Sequence, residues 1–130
     1  MKKCAMLIFI TFLFSCDNSL DSYMLTAKIV GVVSDKDSGI QLDSANVYIF
    51  WKELTGIEGN SIHYNIEILN ITESNEQGFY ELTATLLDGD SYYLGVSRNG
   101  YQGIYNFSYN APKVSYKSYQ RIDIQLKKAI

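Results

Sequence analysis

The sequence of 130 residues has few of the residues that build metal centres, disulfide frameworks or nucleic-acid surfaces. It contains one His and two Cys, so a metal centre built on several His ligands is excluded. Eleven Lys and Arg stand against fourteen Asp and Glu, and the formal net charge is −3, so a basic nucleic-acid footprint is absent. We therefore predict no metal, no cofactor and no nucleic-acid partner.

Long apolar runs are also missing, and the longest is too short to cross a membrane. It covers Cys4–Phe14, behind the positive pair Lys2 and Lys3. As a helix it would span roughly 16 Å, about half of the ~30 Å hydrocarbon core of a bilayer. A basic start followed by a short apolar run is typical of a secretory signal peptide.

The end of this run resembles the lipobox of bacterial lipoproteins, since Leu13, Ser15 and Cys16 match its pattern and polar residues follow at once. In that family the Cys is acylated, with palmitate among the chains, and the signal is cut just before it. The resemblance implies a signal peptide at 1–15, a lipidated Cys16 with a tether at 16–22, and a mature domain at 23–130. An ordinary Cys after an ordinary secretory signal and an uncleaved anchor helix are the alternatives.

The remaining chain alternates apolar and polar residues with a period of two, which predicts strands. Clear examples are Tyr23–Ser34, Tyr80–Leu86 and Ile122–Leu126. Turn clusters of Gly, Asn and Asp separate the strands, and Glu53–Ser61, with two glycines, indicates a loop. We predict an all-β fold, a seven-stranded antiparallel Greek-key β-sandwich, in which Trp51 faces the core.

Several short motifs follow one another in an order that resembles the carboxypeptidase regulatory-like domain, a transthyretin-like (prealbumin-like) sandwich. They are Gly31–Asp35, Leu42–Val47, Thr72–Glu76, Gly78–Leu82, Tyr92–Ser97 and Gly100-Tyr101. In that family the module accompanies catalytic domains or transporters, so the resemblance implies a role without catalysis. Transthyretin-like hydrolases depend on several His and Arg residues and a Tyr-Arg-Gly-Ser ending, which this sequence lacks. We expect no enzyme, and such a hydrolase is the least favoured hypothesis.

Two further features have ordinary structural explanations. His63 lies at the start of a predicted strand with no nucleophile near it in sequence, so we expect it to be exposed. The run from Asp35 to Gly39 has oxygen-bearing residues at alternate positions, as calcium loops do. It lacks a third acid and the distal Glu, so we interpret it as a turn.

Tyrosine is unusually frequent, with eleven in the chain and several in its last third. Each pairs a large apolar face with a hydroxyl, which suits sugar stacking and protein interfaces. The alternative is that these rings simply cover sheet faces and edges. The candidate ligand or partner contacts are Tyr101, Tyr105, Phe107 and Tyr109, the last three on one face of a weak aromatic strand.

These features together favour a lipid-anchored module of the cell envelope. We expect it to be exported and held to the membrane through Cys16, at the periplasmic or surface face of the outer membrane rather than at the inner membrane. The first hypothesis is an interaction or scaffolding module beside a larger envelope protein. The alternative is a carbohydrate-binding accessory lipoprotein, with a glycan as its partner.

Overall fold

Alternating side chains divide the chain into strands that pack as two sheets. The computed structural model describes residues 24–105, 108 and 110–130, so the predicted signal peptide, Cys16 and the tether lie outside the described residues. The strands are β1 (Met24–Asp35), β2 (Asn46–Glu58), β3 (Ser61–Glu73), β4 (Phe79–Leu87), β5 (Tyr92–Ser97), β6 (Lys113–Val114), β7 (Tyr119–Arg121) and β8 (Ile124–Leu126). One sheet has the order β4-β1-β7, with β8 also paired to β1, and the other has the order β3-β2-β5-β6. The predicted all-β sandwich is confirmed.

The core lies between the sheets and is built from one face of each strand. Ile29 and Leu82 of the first sheet are buried, as are Ile49 and Leu94 of the second. Burying a side chain of this size contributes up to about 1.5–3 kcal/mol, so these alternating positions determine which face turns inward. Trp51 is half-buried and packs against the rim of this core rather than filling it.

The last predicted strand differs from expectation, because it is split in two and runs parallel to β1. Arg121 of β7 pairs with Val30, and Ile124 of β8 pairs with Val33. Between these pairs the Val32 N–H donates to Oδ1 of Asp123 at 2.9 Å. The Asp123 carboxylate thus takes the place of a backbone acceptor for Val32. This interrupts the final strand between β7 and β8, although both halves lie beside β1.

The prediction of a loop at Glu53–Ser61 is wrong, because β2 continues to Glu58 and β3 begins at Ser61. Gly59, with φ of 60°, makes the connection a tight turn, since glycine adopts this left-handed conformation without strain. Gly56, the other glycine of the predicted loop, lies at a β-bulge, where the register shifts after Leu54. The two strands therefore form one long hairpin of thirteen residues on each side.

Candidate binding surfaces

An open polar cleft lies at one end of the sandwich, with a volume of about 680 Å³. Three connections meet there: the loop before β2, the turn after β5 and the segment that follows that turn. We call it the tyrosine cleft, because two of the predicted contact residues line it. Its lining residues are Asp43, Ser44, Asn46, Glu73, Ser97, Arg98, Asn99, Gly100, Tyr101 and Tyr105.

Arg98 joins two walls of the tyrosine cleft. It directly follows β5, and its Nε donates to the Asp43 carbonyl at 2.6 Å while Nη2 donates to the Asp43 carboxylate at 2.9 Å. Its guanidinium also lies 5.4 Å from the centre of the Tyr101 ring. Two charge-assisted hydrogen bonds and one cation–π contact therefore fix the loop before β2 against the turn after β5.

Ser74, which directly follows β3, anchors the loop before β2 by hydrogen bonds. This buried side chain accepts from the Ala45 N–H at 2.9 Å and donates to the Leu42 carbonyl at 2.7 Å. Ser44 between them has φ of 58°, which a residue with a side chain rarely adopts. Its N–H donates to the Ser74 carbonyl at 3.0 Å, which compensates for the strained backbone.

Tyr101 is a structural residue of the cleft wall, because its hydroxyl donates to Asp35 at 2.7 Å. Asp35 is 2% exposed and also accepts from the N–H groups of Asp37 and Ser38. The Ser38 N–H, followed by the Tyr101 hydroxyl, lowers the pKa of Asp35 from 3.8 to about 2. The same hydrogen bond raises the pKa of Tyr101. The predicted turn at Asp35 thus contains a buried carboxylate that the spacing of its oxygens did not reveal.

Tyr105 presents its ring to the tyrosine cleft. Its side chain is 46% exposed, and its N–H donates to the Ser108 hydroxyl at 2.9 Å. The ring lies over Gly103, where an added Cβ would come within 2.3 Å of it. The structure therefore brings Tyr101 and Tyr105 to one cleft, whereas Phe107 and Tyr109 lie outside the described residues.

The chemistry of the tyrosine cleft suits binding through hydrogen bonds. Asp43, Glu73 and two Asn side chains supply acceptors and donors, and Tyr105 adds an aromatic face. His63 lies on the β2–β3 hairpin, outside this lining, with Nε2 3.8 Å from Glu58. Its predicted exposure is confirmed. Among residues 24–105, 108 and 110–130, no group of three His, Cys, Asp or Glu side chains could hold a metal ion.

A second surface lies on the outer face of the β2–β3 hairpin, which sequence reasoning missed. Leu54 lies opposite Tyr64, and Ile57 lies opposite Ile62, because the bulge between Leu54 and Gly56 returns Ile57 to the side of Leu54. Neighbouring residues such as Glu53 and Asn65 point to the other face. We call the apolar side the outer hairpin face; it comprises Leu54, Ile57, Ile62, Tyr64, Ile66 and Ile68.

The outer hairpin face is open to solvent over most of its length. Ile57 is 68% exposed and Ile62 is 55% exposed. Closer to β5, aromatic side chains on the same side of the sheet cover one another. There Phe50 is fully buried under Tyr48 and Tyr93, and the Lys52 Nζ lies 5.0 Å from the Tyr64 ring centre and 5.2 Å from that of Tyr93. The apolar surface is therefore exposed where the hairpin has no such aromatic cover.

The described part of the chain contains no helix long and apolar enough to cross a membrane.

Solved structures with this fold include bacterial pilin domains. The C-terminal domain of the shaft pilin SpaA from Lactobacillus rhamnosus GG superposes with a TM-score of 0.50 and 17% sequence identity, over 80% of this chain and 98% of that domain. Shaft pilin SpaA as a longer chain gives a TM-score of 0.52 and 15% identity, and the match covers 80% of this chain and 46% of that one. At these identities the likeness establishes a shared β-sandwich fold.

No protein-family model matches this sequence. No curated protein is similar enough in sequence to count as a relative. The resemblance to carboxypeptidase regulatory-like domains therefore stays a prediction.

Proposed function

We propose that this chain is a non-catalytic module of the cell envelope that binds another protein through its outer hairpin face. The observation that carries the proposal is the row of exposed apolar side chains on that face, with Ile57 at 68% and Ile62 at 55%. Contiguous apolar patches beyond a few hundred Å² are rare on soluble monomers and mark interaction sites. The likeness to SpaA, a shaft pilin, supports a structural role at the cell surface.

The envelope location rests on the N-terminal pattern. Cys16, preceded by Leu13 and Ser15, would carry the lipid after removal of residues 1–15. In this proposal the domain is exported and held at the outer membrane, on its periplasmic or surface face. The acyl chains on Cys16 contribute about 0.8 kcal/mol for each buried CH₂ group, so two or three chains would hold the module essentially permanently.

The distribution of charge supports a protein partner at the outer hairpin face. Lys52 is the charged residue on this side of the hairpin between Phe50 and its tip, and its ammonium group already lies over two tyrosine rings. Three acids of the hairpin, Glu53, Glu58 and Glu67, are on the opposite side, and Glu73 is at the far end, beyond the apolar row. A partner that covers the apolar row therefore does not have to desolvate a carboxylate, which would be costly.

Cross-linking tests this proposal directly. A photoreactive amino acid at Ile57 in the full chain should give a defined cross-linked product in intact cells, and one at Glu53, on the opposite face, should not. Ile62→Lys should abolish the Ile57 product, because the added charge would be buried in the interface. Ser61→Lys adds the same charge on the polar face and is the matched control. Equal products from both photoreactive positions would refute the proposal.

A second candidate function is binding of a carbohydrate at the tyrosine cleft. The specific observation is the exposed Tyr105 ring beside the Arg98–Asp43 pair and Glu73, since an aromatic face with planar polar groups suits a polyhydroxylated ligand. A glycan array with the purified chain would identify the ligand. Tyr105→Ala should then weaken binding about thirtyfold or more while the melting temperature stays unchanged. Tyr116→Ala removes another exposed ring, outside the lining, and should leave binding intact.

A further inference from the structure

The outward edge of β3 is open along most of its length. In the described ranges β3 pairs with β2 alone, whereas β2 is paired on both sides. Near its end β3 approaches the other sheet, because Nδ2 of Asn70 donates to the Thr83 carbonyl of β4 at 2.7 Å. The stretch Ser61–Leu69 before Asn70 has no such contact with β4. An open edge of this kind is a template for another strand.

The backbone groups of this stretch have a definite orientation. The Thr55 hydroxyl donates to the His63 carbonyl at 3.1 Å, so His63 turns its backbone towards β2. The Lys52 N–H donates to the Ser91 carbonyl at 3.4 Å, on the β5 side and away from β3. Lys52 and its partner on β3, Ile66, are therefore a pair without mutual hydrogen bonds. Because backbone direction alternates along a strand, Tyr64 and Ile66 point their N–H and C=O groups to the open edge.

The open stretch also lacks the features that normally protect an edge strand. It contains no Lys, Pro or Gly, and Glu67 is its one carboxylate. The bulge between Leu54 and Gly56 adds its extra residue to β2, so β3 stays regular from Ser61 to Ile68. A second bulge, opposite Ile49 and Phe50, adds the extra residue Leu69 to β3 and marks the far end of the stretch. Natural sheets usually block such an edge with charge, proline or a bulge.

We propose that this edge pairs antiparallel with the same edge of a second copy of the chain, with Asn65 on the two-fold axis. This inference rests on the proposed function, because the second copy would extend the outer hairpin face that the proposed function uses. The pairing places His63 opposite Glu67 of the second copy, twice, so that an imidazole N–H can donate to a carboxylate at two places. This donor–acceptor complementarity selects the register. It also places Ile62 opposite Ile68 and Tyr64 opposite Ile66 of the second copy.

Two neighbouring registers are worse for identifiable reasons. A two-fold axis at Glu67 would set two carboxylates directly opposite each other, which is destabilising. An axis at Ile66 would set His63 opposite the apolar Leu69. With the axis at Asn65, the paired stretch is Ile62–Ile68, which is the regular part of the open edge. The two outer hairpin faces then form one continuous apolar surface across the dimer.

Disulfide formation tests the register. In this arrangement Asn65 and its copy are a pair without mutual hydrogen bonds, with Cα atoms about 4.5 Å apart, within the range of a disulfide. Asn65→Cys in the full chain should therefore give a disulfide-linked dimer under mild oxidation. Ile62→Cys is the matched control, because its copy lies roughly 20 Å away along the strand. The unmodified chain, which carries Cys4 and Cys16, gives the background.

Light scattering of the full chain in detergent tests the association itself. We expect the mass of a dimer for the unmodified chain and of a monomer for Ile66→Pro. This change removes an N–H that faces the open edge, so the β2 ladder and the melting temperature should be largely kept. A monomeric unmodified chain, or equal cross-linking from Asn65→Cys and Ile62→Cys, would overturn the inference. If the Ile57 photoproduct then contains a different protein, the proposed function stands without the dimer; if no product forms, both fail.

Discussion

Removing the Tyr80 hydroxyl tests how the end of the chain is attached to the sandwich. Tyr80 is 1% exposed, and its hydroxyl donates to the Ile122 carbonyl just beyond β7. Tyr80 lies opposite Gly31 in the β1–β4 register, and a Cβ on Gly31 would meet the same carbonyl oxygen at 1.9 Å. Burial, and secondarily Asp123, raises the pKa of Tyr80, so the hydroxyl stays protonated and remains a donor.

Tyr80→Phe keeps the buried ring and deletes only this donor. The loss of one net hydrogen bond costs ~0.5–1.5 kcal/mol, and an unpaired carbonyl brings the total to about 2 kcal/mol. For a domain of this size, 1 kcal/mol corresponds to ~4–8 °C, so we expect the melting temperature to fall by about 8–16 °C. Urea unfolding followed by Trp51 fluorescence measures the free energy. Tyr119→Phe, at a 60% exposed tyrosine, is the control. A loss no larger than that of the control would refute the reasoning.

Three further changes test other parts of the structure. The lowered pKa of Asp35 contributes stability that is complete above about pH 3.8 and is lost as the pH falls through about 2. Tyr101→Phe removes one of the bonds that lower this pKa, so acid unfolding should begin at a higher pH; melts between pH 2 and 7 that match the unmodified chain would contradict this. Trp51→Ala should cost less than the ~3–5 kcal/mol of a fully buried tryptophan, because the ring is half-buried, and urea unfolding measures the loss. Cys16→Ala should release the chain from the membrane fraction, and unchanged partitioning into detergent would disprove lipidation.

Alternation predicted the strands well because most of them bury one face and expose the other. β4 shows this most clearly, since Tyr80, Leu82, Ala84 and Leu86 are buried and the residues between them are exposed. The final strand could be recognised for the same reason. Its parallel placement beside β1 could not, because a pattern of period two is the same for either strand direction. The Asp123 side chain that interrupts it acts through a residue distant in sequence, Val32.

The candidate sites were predicted less completely, because they depend on which residues the fold brings together. Tyr101 and Tyr105 were expected on compositional grounds, and both line the tyrosine cleft. Their roles differ because of Asp35, 66 positions before Tyr101, which engages one hydroxyl in a buried hydrogen bond. Neither the burial of Asp35 nor its distant partner has a local sequence signal. A turn of Asp, Ser and Gly looks the same whether its first carboxylate is exposed or buried.

The β2–β3 hairpin shows that alternation of apolar and polar residues does not predict whether an apolar face is buried. Ile62, Tyr64, Ile66 and Ile68 alternate with polar residues as regularly as any core strand, yet they lie on the outer face. Period two shows that a strand has one apolar face, but whether that face meets the core depends on its place in the sandwich. Apolar side chains in solvent lower solubility and add nothing to the core, and contiguous exposed patches of them are typical of interaction sites, which is why the proposed function rests on this row. The open edge of Ser61–Leu69 lies beside the same row, and a partner strand would satisfy its backbone and extend its apolar face together.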